Sequence, residues 1–226
     1  MKGHYKVLLI DDHPLITEAY KSAFQLISNE SNGDLNFHID IAGNCDVAKE
    51  KIEKASSDKG IDVIFLDLRL PPSKDSKILS GEDLGILANK VIPEAKIIVS
   101  TTFNDNYRIH SIIKSVNPEG FLIKNDITPE DIVIAIKSVL FDPPYYSKSV
   151  LRLLRKEVSN DFLLDDIDRR LLYELSLGTK TKDLPNILPL SIAGIEKRKR
   201  HLKDILNLKN SDDKELIVSA KEKGFI

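Results

Sequence analysis

Apolar residues follow two different rhythms along this chain. Over roughly the first 140 residues, short continuous apolar runs alternate with amphipathic stretches. The runs are Val7–Ile10, Val63–Leu66, Ile97–Val99 and Phe121–Ile123. Branched runs of this length, bounded by polar residues, are the pattern of strands buried on both faces. Phe37-His38-Ile39-Asp40-Ile41 alternates apolar with polar instead, which predicts an edge strand. Helical spacing between the runs predicts helices over about 14–28, 46–57, 82–90, 105–115 and 129–140. Parallel strands need crossovers, so five β-α repeats predict a doubly wound α/β domain with a five-stranded parallel sheet.

The rhythm changes after Leu140. Phe141-Asp142-Pro143-Pro144-Tyr145-Tyr146 interrupts any helix, because proline lacks a donor and restricts the residue before it. A linker is expected over 142–163, with a short helix near 148–158. Beyond it the spacing is helical only: Leu164, Ile167, Leu171 and Leu175 form one stripe, and Ile192, Ile195, Leu202 and Leu206 another. Gly178 is placed to end the first of these helices, and a last one carries Leu216, Ile217 and Ala220. The organisation expected is a domain over 1–141, a linker over 142–163 and a small all-α domain over 164–226.

Composition adds limits. With 42% hydrophobic and 30% charged residues the chain reads as globular rather than disordered. No run approaches the ~20 apolar residues of a spanning helix, and MKGHYKVLLIDDHP is not expected to be a signal peptide. One cysteine, Cys45, cannot form an internal disulfide, so a cytoplasmic setting is expected. Cys45 and the histidines form no spaced metal-binding cluster, and His13 reads as a local loop residue. The net charge of −2 hides an asymmetry. Residues 196–203 carry Lys197, Arg198, Lys199, Arg200 and Lys203 against Glu196, whereas acids gather at Asp11, Asp12 and Asp67 and again at Asp165, Asp166 and Asp168. One part of the chain is therefore suited to a polyanion.

The strand ends carry the chemistry. In a doubly wound sheet ligands sit at the carboxyl ends of the strands. The first strand ends in Asp11-Asp12, the third in Asp67, the fourth in Ser100-Thr101-Thr102 and the fifth in Lys124. Carboxylates sharing one crevice repel unless a cation neutralises them, and such oxygen ligands suit Mg²⁺. A metal there would shield incoming phosphoryl oxygens and let a carboxylate attack phosphorus. Singly, each residue has a blander role: Asp as a helix cap, Thr as a turn former, Lys as a solvated cation. Their conjunction on successive strand ends points to phosphoryl chemistry.

Four motifs, Leu9-Ile10-Asp11-Asp12-His13-Pro14, Phe65-Leu66-Asp67-Leu68-Arg69-Leu70-Pro71, Ile97-Ile98-Val99-Ser100-Thr101 and Gly120-Phe121-Leu122-Ile123-Lys124, resemble the receiver domain of two-component response regulators, over about residues 5–140. The resemblance implies a flavodoxin-like fold with Asp67 as phosphoacceptor for a sensor histidine kinase. It implies Mg²⁺ held by Asp11, Asp12, Asp67 and the backbone carbonyl of Arg69. It gives Thr101 and Lys124 the phosphate, and makes Phe121, otherwise an ordinary core residue, a rotamer switch beside Thr101. The chain departs from the pattern at 72–80, an insertion of about six residues before Gly81 that either shapes access to Asp67 or is a tolerated surface loop.

Leu190-Ser191 followed by Ile192–Leu202 reads as an N-capped helix entered from a short turn and a scaffold helix. Ile192, Ile195, Leu202 and Leu206 are expected to face inward, Lys197, Arg200 and Lys203 outward, with Arg198 on a flank and Lys199 snorkelling. A cationic helix of this kind either is a solvated face or lies in the major groove of double-stranded DNA. Residues 164–226 resemble the LuxR/NarL-type helix-turn-helix domain, through Leu164, Arg169, Leu172, Gly178, Lys182, Leu184, Leu188, Leu190-Ser191, Ile195 and the closing Gly224-Phe225-Ile226. Pro185, Gly194 and Glu196 depart from it; Glu196 either accepts from cytosine or pairs with Arg200 one turn on. The implied DNA contacts are Lys197, Arg198, Arg200 and Lys203.

The expectation is a response regulator transcription factor, not an enzyme, whose phosphorylation on Asp67 controls homodimerisation and DNA binding. The alternatives are a receiver that signals through protein contacts without DNA and an aspartate-nucleophile phosphatase. The phosphatase wants an Asp-x-Asp pair that Asp11-Asp12-His13 does not supply.

Overall fold

The computed structural model describes residues 3–56, 60–103, 106–155, 164–206, 208, 211–223 and 225–226. The far part of the expected linker (156–163), Gly224 and the expected start of the fourth helix at 105 lie outside the described residues. The chain forms two compact units, Met1–Lys156 and Glu157–Ile226.

In the first unit, β1 (Gly3–Ile10), β2 (Leu35–Ala42), β3 (Val63–Asp67), β4 (Lys96–Thr101) and β5 (Gly120–Ile123) alternate with α1 (Pro14–Glu30), α2 (Cys45–Ala55), α3 (Gly81–Val91), α4 (Asn106–Ser115) and α5 (Pro129–Phe141). The sheet is parallel in the order β2-β1-β3-β4-β5-β6, where β6 is Tyr145–Tyr146. The alternating strand β2 lies at an edge, and the continuous apolar runs lie inside. Side chains on a strand point alternately to its two faces, and the cores divide accordingly. Leu8, Ile10, Ile64, Leu66, Ile97, Val99 and Phe121 pack under α2, α3 and α4. Val7, Leu9, Val63, Phe65, Ile98 and Leu122 pack under α1 and α5.

Two helix starts show why the crossovers begin where they do. The Asn44 side chain accepts from Val47 N at the head of α2. Thr128 and Asp131 form a reciprocal capping box at the head of α5, with Pro129 in the first turn.

The sheet has six strands rather than five, and the near part of the expected linker belongs to this unit. Tyr145 N donates to Glu119 O at 2.8 Å and Ser147 N to Phe121 O at 2.9 Å, so the chain after the Pro143-Pro144 break runs beside β5. It then forms α6 (Lys148–Leu154), whose Val150 and Leu153 are buried in the same core as Phe121, Ile109 and Ile112. Two prolines end a helix but leave the next residues free to pair with an open strand edge.

The second unit contains α7 (Asp166–Ser176), α8 (Ile192–Ile205) and α9 (Asp213–Glu222). Asp165, Ser191 and Asp212 cap them, each accepting from the backbone N–H three residues on. Gly178, at φ +86°, follows α7, with Thr179 N bonded back to Glu174 O at 3.1 Å. The expected scaffold helix is only a 3₁₀ turn, Leu184–Asn186. Pro185 disfavours the α region for Leu184 and supplies no N–H, and Pro189 closes off any extension. Leu184 and Leu188 nonetheless reach the core formed by Leu171, Leu172, Leu175, Ile195, Leu202 and Leu216. Ile192, expected inward, is exposed in the first turn of α8. Among the described residues no helix is long and apolar enough to cross a membrane.

Candidate functional site

Strand register assembles the pocket. Ile10 is paired with Leu66, so the residues that follow, Asp11 and Asp67, stand side by side at the carboxyl ends of β1 and β3. Asp67 is paired with Ser100, and Thr101 with Ile123, which brings Lys124 in from the far side. Asp11 and Asp67 are each 3% exposed and Thr101 is fully buried.

Lys124 Nζ donates to Asp11 Oδ2 at 2.6 Å and to Asp67 Oδ2 at 2.7 Å. The other oxygens are held by the main chain, Asp67 Oδ1 by the N–H of Arg69 at 2.9 Å and Asp11 Oδ1 by that of His13 at 3.0 Å. Burial pushes the Asp67 carboxyl above the usual range, and the charge and hydrogen bond of Lys124 only partly offset it. Asp12 is exposed at the rim, where His13 Nδ1 lies 2.7 Å from it and 3.1 Å from Asp11. Ligand atoms of Asp11, Asp12, His13 and Asp67 all lie within 4.8 Å of one another. Three carboxylates offer the hard oxygen donors that a divalent cation such as Mg²⁺ prefers. The Lys124 ammonium drawn between two of them shows that the pocket demands positive charge. His13, read from the sequence as a loop residue, is therefore part of the rim.

Close packing fixes Asp67 from behind. A Cβ at Gly81 would lie 1.9 Å from the Asp67 carbonyl oxygen, so only glycine lets α3 start there. The insertion before it is tied down. The buried Ser73 Oγ donates to Asp75 and accepts from Ile78 N, and Lys74 N meets the Asp46 carboxylate at the head of α2.

Thr101 Oγ1 accepts from Phe103 N at 3.2 Å, and Phe121 is fully buried in the core. Two features of this region carry no sequence signal, because their partners are distant in the chain. Tyr20 OH donates to Ser100 Oγ at 2.6 Å beneath the pocket, and burial raises the phenol well above its ordinary value. Glu82 at the start of α3 and Arg108 on α4, each 1% exposed, form an ion pair at 2.5 Å, with Ser115 donating to the same carboxylate. Arg108 and Arg69 both lie over the ring of Phe103, at 5.5 and 5.2 Å from its centroid.

On α8 the structure separates the cations by environment. Lys197 and Arg200 are exposed and have no ion-pair partner among the described residues. Arg198 is clamped to α7, Nη1 lying 2.8 Å from Asp165 Oδ2 and 2.7 Å from Asp168 Oδ1. Lys203 donates to Asp213 at 2.9 Å and to the Ser211 carbonyl at 3.0 Å. Lys199 is buried but bonded, reaching Asp213 at 2.6 Å, Thr181 at 3.0 Å and Glu196 at 3.1 Å. Burial pushes the Asp168 carboxyl up despite Arg198. At Asp213 burial is outweighed by its two lysines, and the carboxyl is held low. Glu196 pairs with Lys199 rather than with Arg200.

A doubly wound receiver with this strand-end constellation, followed by a helical unit presenting a capped cationic helix, defines the class. Over nearly its whole length the chain is similar to two-component response regulators of the NarL type. It is similar to the oxygen regulatory protein NreC of Staphylococcus epidermidis, 24% identical over 98% of this chain and 99% of that protein. It is also similar to the nitrate/nitrite response regulator protein homolog of Haemophilus influenzae, 29% identical over 92% of this chain and 93% of that one. Among solved structures it shares its fold with RcsB of Salmonella enterica serovar Typhimurium bound to promoter rprA in the presence of the phosphomimetic BeF3-, at a TM-score of 0.66 and 20% identity, over 97% of this chain and 99% of that one. No family model matches the chain.

Proposed function

We propose that this protein is a transcription factor switched by phosphorylation of Asp67. The observation that carries the reading is the convergence of Asp11, Asp67 and Lys124 on one buried pocket, with Lys124 in contact with both acids. The donor is a sensor histidine kinase. An Asp67 carboxylate oxygen attacks phosphorus, the bond from phosphorus to the donor histidine breaks, and an acyl phosphate forms on Asp67. Asp11, Asp12, Asp67 and the Arg69 carbonyl would hold Mg²⁺, which screens the phosphoryl oxygens from the acids. Lys124 then leaves its carboxylate pairing for a phosphoryl oxygen, and Thr101 follows from the opposite side. The buried Phe121 shifts with Thr101 and transmits the change.

The output is double-stranded DNA. Lys197 and Arg200 contact base edges and phosphates. Arg198 and Lys203 serve chiefly to brace α8 against α7 and the start of α9, which sets the aim of the helix. A phosphorylated homodimer places two copies of α8 on half-sites about one helical turn apart. The protein works in the cytoplasm, beside its kinase and its DNA. The test is intact mass after incubation with acetyl phosphate and Mg²⁺. The expected result is a gain of one phosphoryl group by the native chain and none by Asp67→Asn; equal uptake by both chains would remove Asp67 from its role.

A further inference from the structure

We propose that Glu196 is a base-reading residue that selects cytosine in each half-site, with Arg200 reading a neighbouring guanine. The proposal rests on the DNA-binding reading above and names its sequence preference.

Glu196 lies on the same exposed stripe of α8 as Ala193, Lys197 and Arg200, in the N-terminal half of the helix. In helix-turn-helix proteins that half meets base edges. A carboxylate on a surface that meets phosphates costs affinity, unless it faces a donor on the base edges. Two bases offer an exocyclic amine in the major groove, adenine and cytosine. Adenine places the acceptor N7 beside its amine, which repels a carboxylate; cytosine places no acceptor there. Cytosine is therefore the base that a carboxylate prefers, and Arg is the bidentate partner of guanine.

The geometry keeps both groups available. A Glu and an Arg four residues apart on a helix ordinarily pair, and here they do not. Glu196 Oε1 is drawn aside by Lys199 at 3.1 Å, and Lys199 is itself anchored by Asp213 and Thr181. The Glu196 side chain stays 50% exposed, and Arg200 keeps no ion-pair partner among the described residues. The buried lysine thus orients the carboxylate without neutralising the arginine.

The experiment selects from a random-sequence duplex library with the full chain, treated with acetyl phosphate and Mg²⁺, as native protein, Glu196→Ala and Glu196→Gln. The native chain is expected to enrich one cytosine per half-site. Glu196→Ala should lose about 5- to 10-fold of that discrimination. Glu196→Gln should move the preference to adenine, because an amide donates to N7 and accepts from the amine. Unchanged base preference in Glu196→Ala, with affinity raised for all duplexes alike, would overturn the proposal and leave Glu196 as a repulsive charge only. Failure of every form to retain any duplex would overturn the DNA-binding reading together with it. Unchanged thermal midpoints across the three proteins separate recognition from folding, since Lys199 keeps its other partners.

Discussion

At the scale of single residues, the pocket is a compromise between folding and chemistry. Burial raises the Asp67 carboxyl above its ordinary range even with Lys124 in contact. A carboxyl raised on folding stabilises the native state fully below its unfolded value, and that contribution is lost as pH rises through the folded value. At neutral pH the ionised side chain is therefore a burden. Asp67→Asn removes it, while Lys124 keeps Asp11. The expected outcome is a higher urea midpoint for Asp67→Asn at neutral pH, with the gap narrowing as the pH is lowered toward the ordinary aspartate range. A variant less stable than the native chain at neutral pH would show that the Lys124 pairing outweighs burial. The acids and Lys124 were legible in the sequence because each follows a continuous apolar run, and register brings such ends together. The clamp of Arg198 on Asp165 and Asp168 was not, since its partners lie on another helix and no spacing rule links them. For the same reason the pairing of Lys203 with Asp213 could not be told from an outward-facing cation.

At the scale of elements, periodicity found the strands and helices whose burial is one-sided or complete. It failed where a few residues are recruited by a neighbour. β6 was not foreseen and α6 was expected only as a short helix within a linker, because two prolines precede them and the apolar pattern is short. Yet Val150 is fully buried and Leu153 is 6% exposed, beside Phe121 and α4. An open edge of β5 and the apolar flank of α4 order a segment too short to hold its structure alone. Leu153→Ala is expected to cost the first unit about 2 kcal/mol or more, as truncating a buried leucine does. Chemical denaturation of the full chain, followed by a probe in the first unit, checks this; no change in midpoint would return the segment to the status of a tether. The opposite error occurred before α8, where a scaffold helix was expected but proline allows only one 3₁₀ turn, Leu184–Asn186. There Leu184 and Leu188 supply the core contacts that a longer helix would otherwise make.

At the scale of the whole molecule, the two compact units carry different chemistry on one chain: a buried acidic pocket, proposed above to accept a phosphoryl group, and a capped helix exposing Lys197 and Arg200. The acidic strand ends and the cationic run lie in different units, although Asp165, Asp166 and Asp168 share the second unit with the cations and two of them hold Arg198. The insertion at 72–80 is pinned to α2 through Asp46, so this loop is built rather than loose. The measurement that bears most directly on the switch is binding of the full-length chain to a duplex enriched from the library. Binding is followed against salt concentration, with and without acetyl phosphate and Mg²⁺, for the native protein and Asp67→Asn. Phosphorylation is expected to tighten the native chain about tenfold or more and to leave Asp67→Asn unchanged. Log affinity should fall linearly with log salt, with a slope of several ions. Identical binding curves for native protein shown by mass to be phosphorylated and unphosphorylated would contradict the switch.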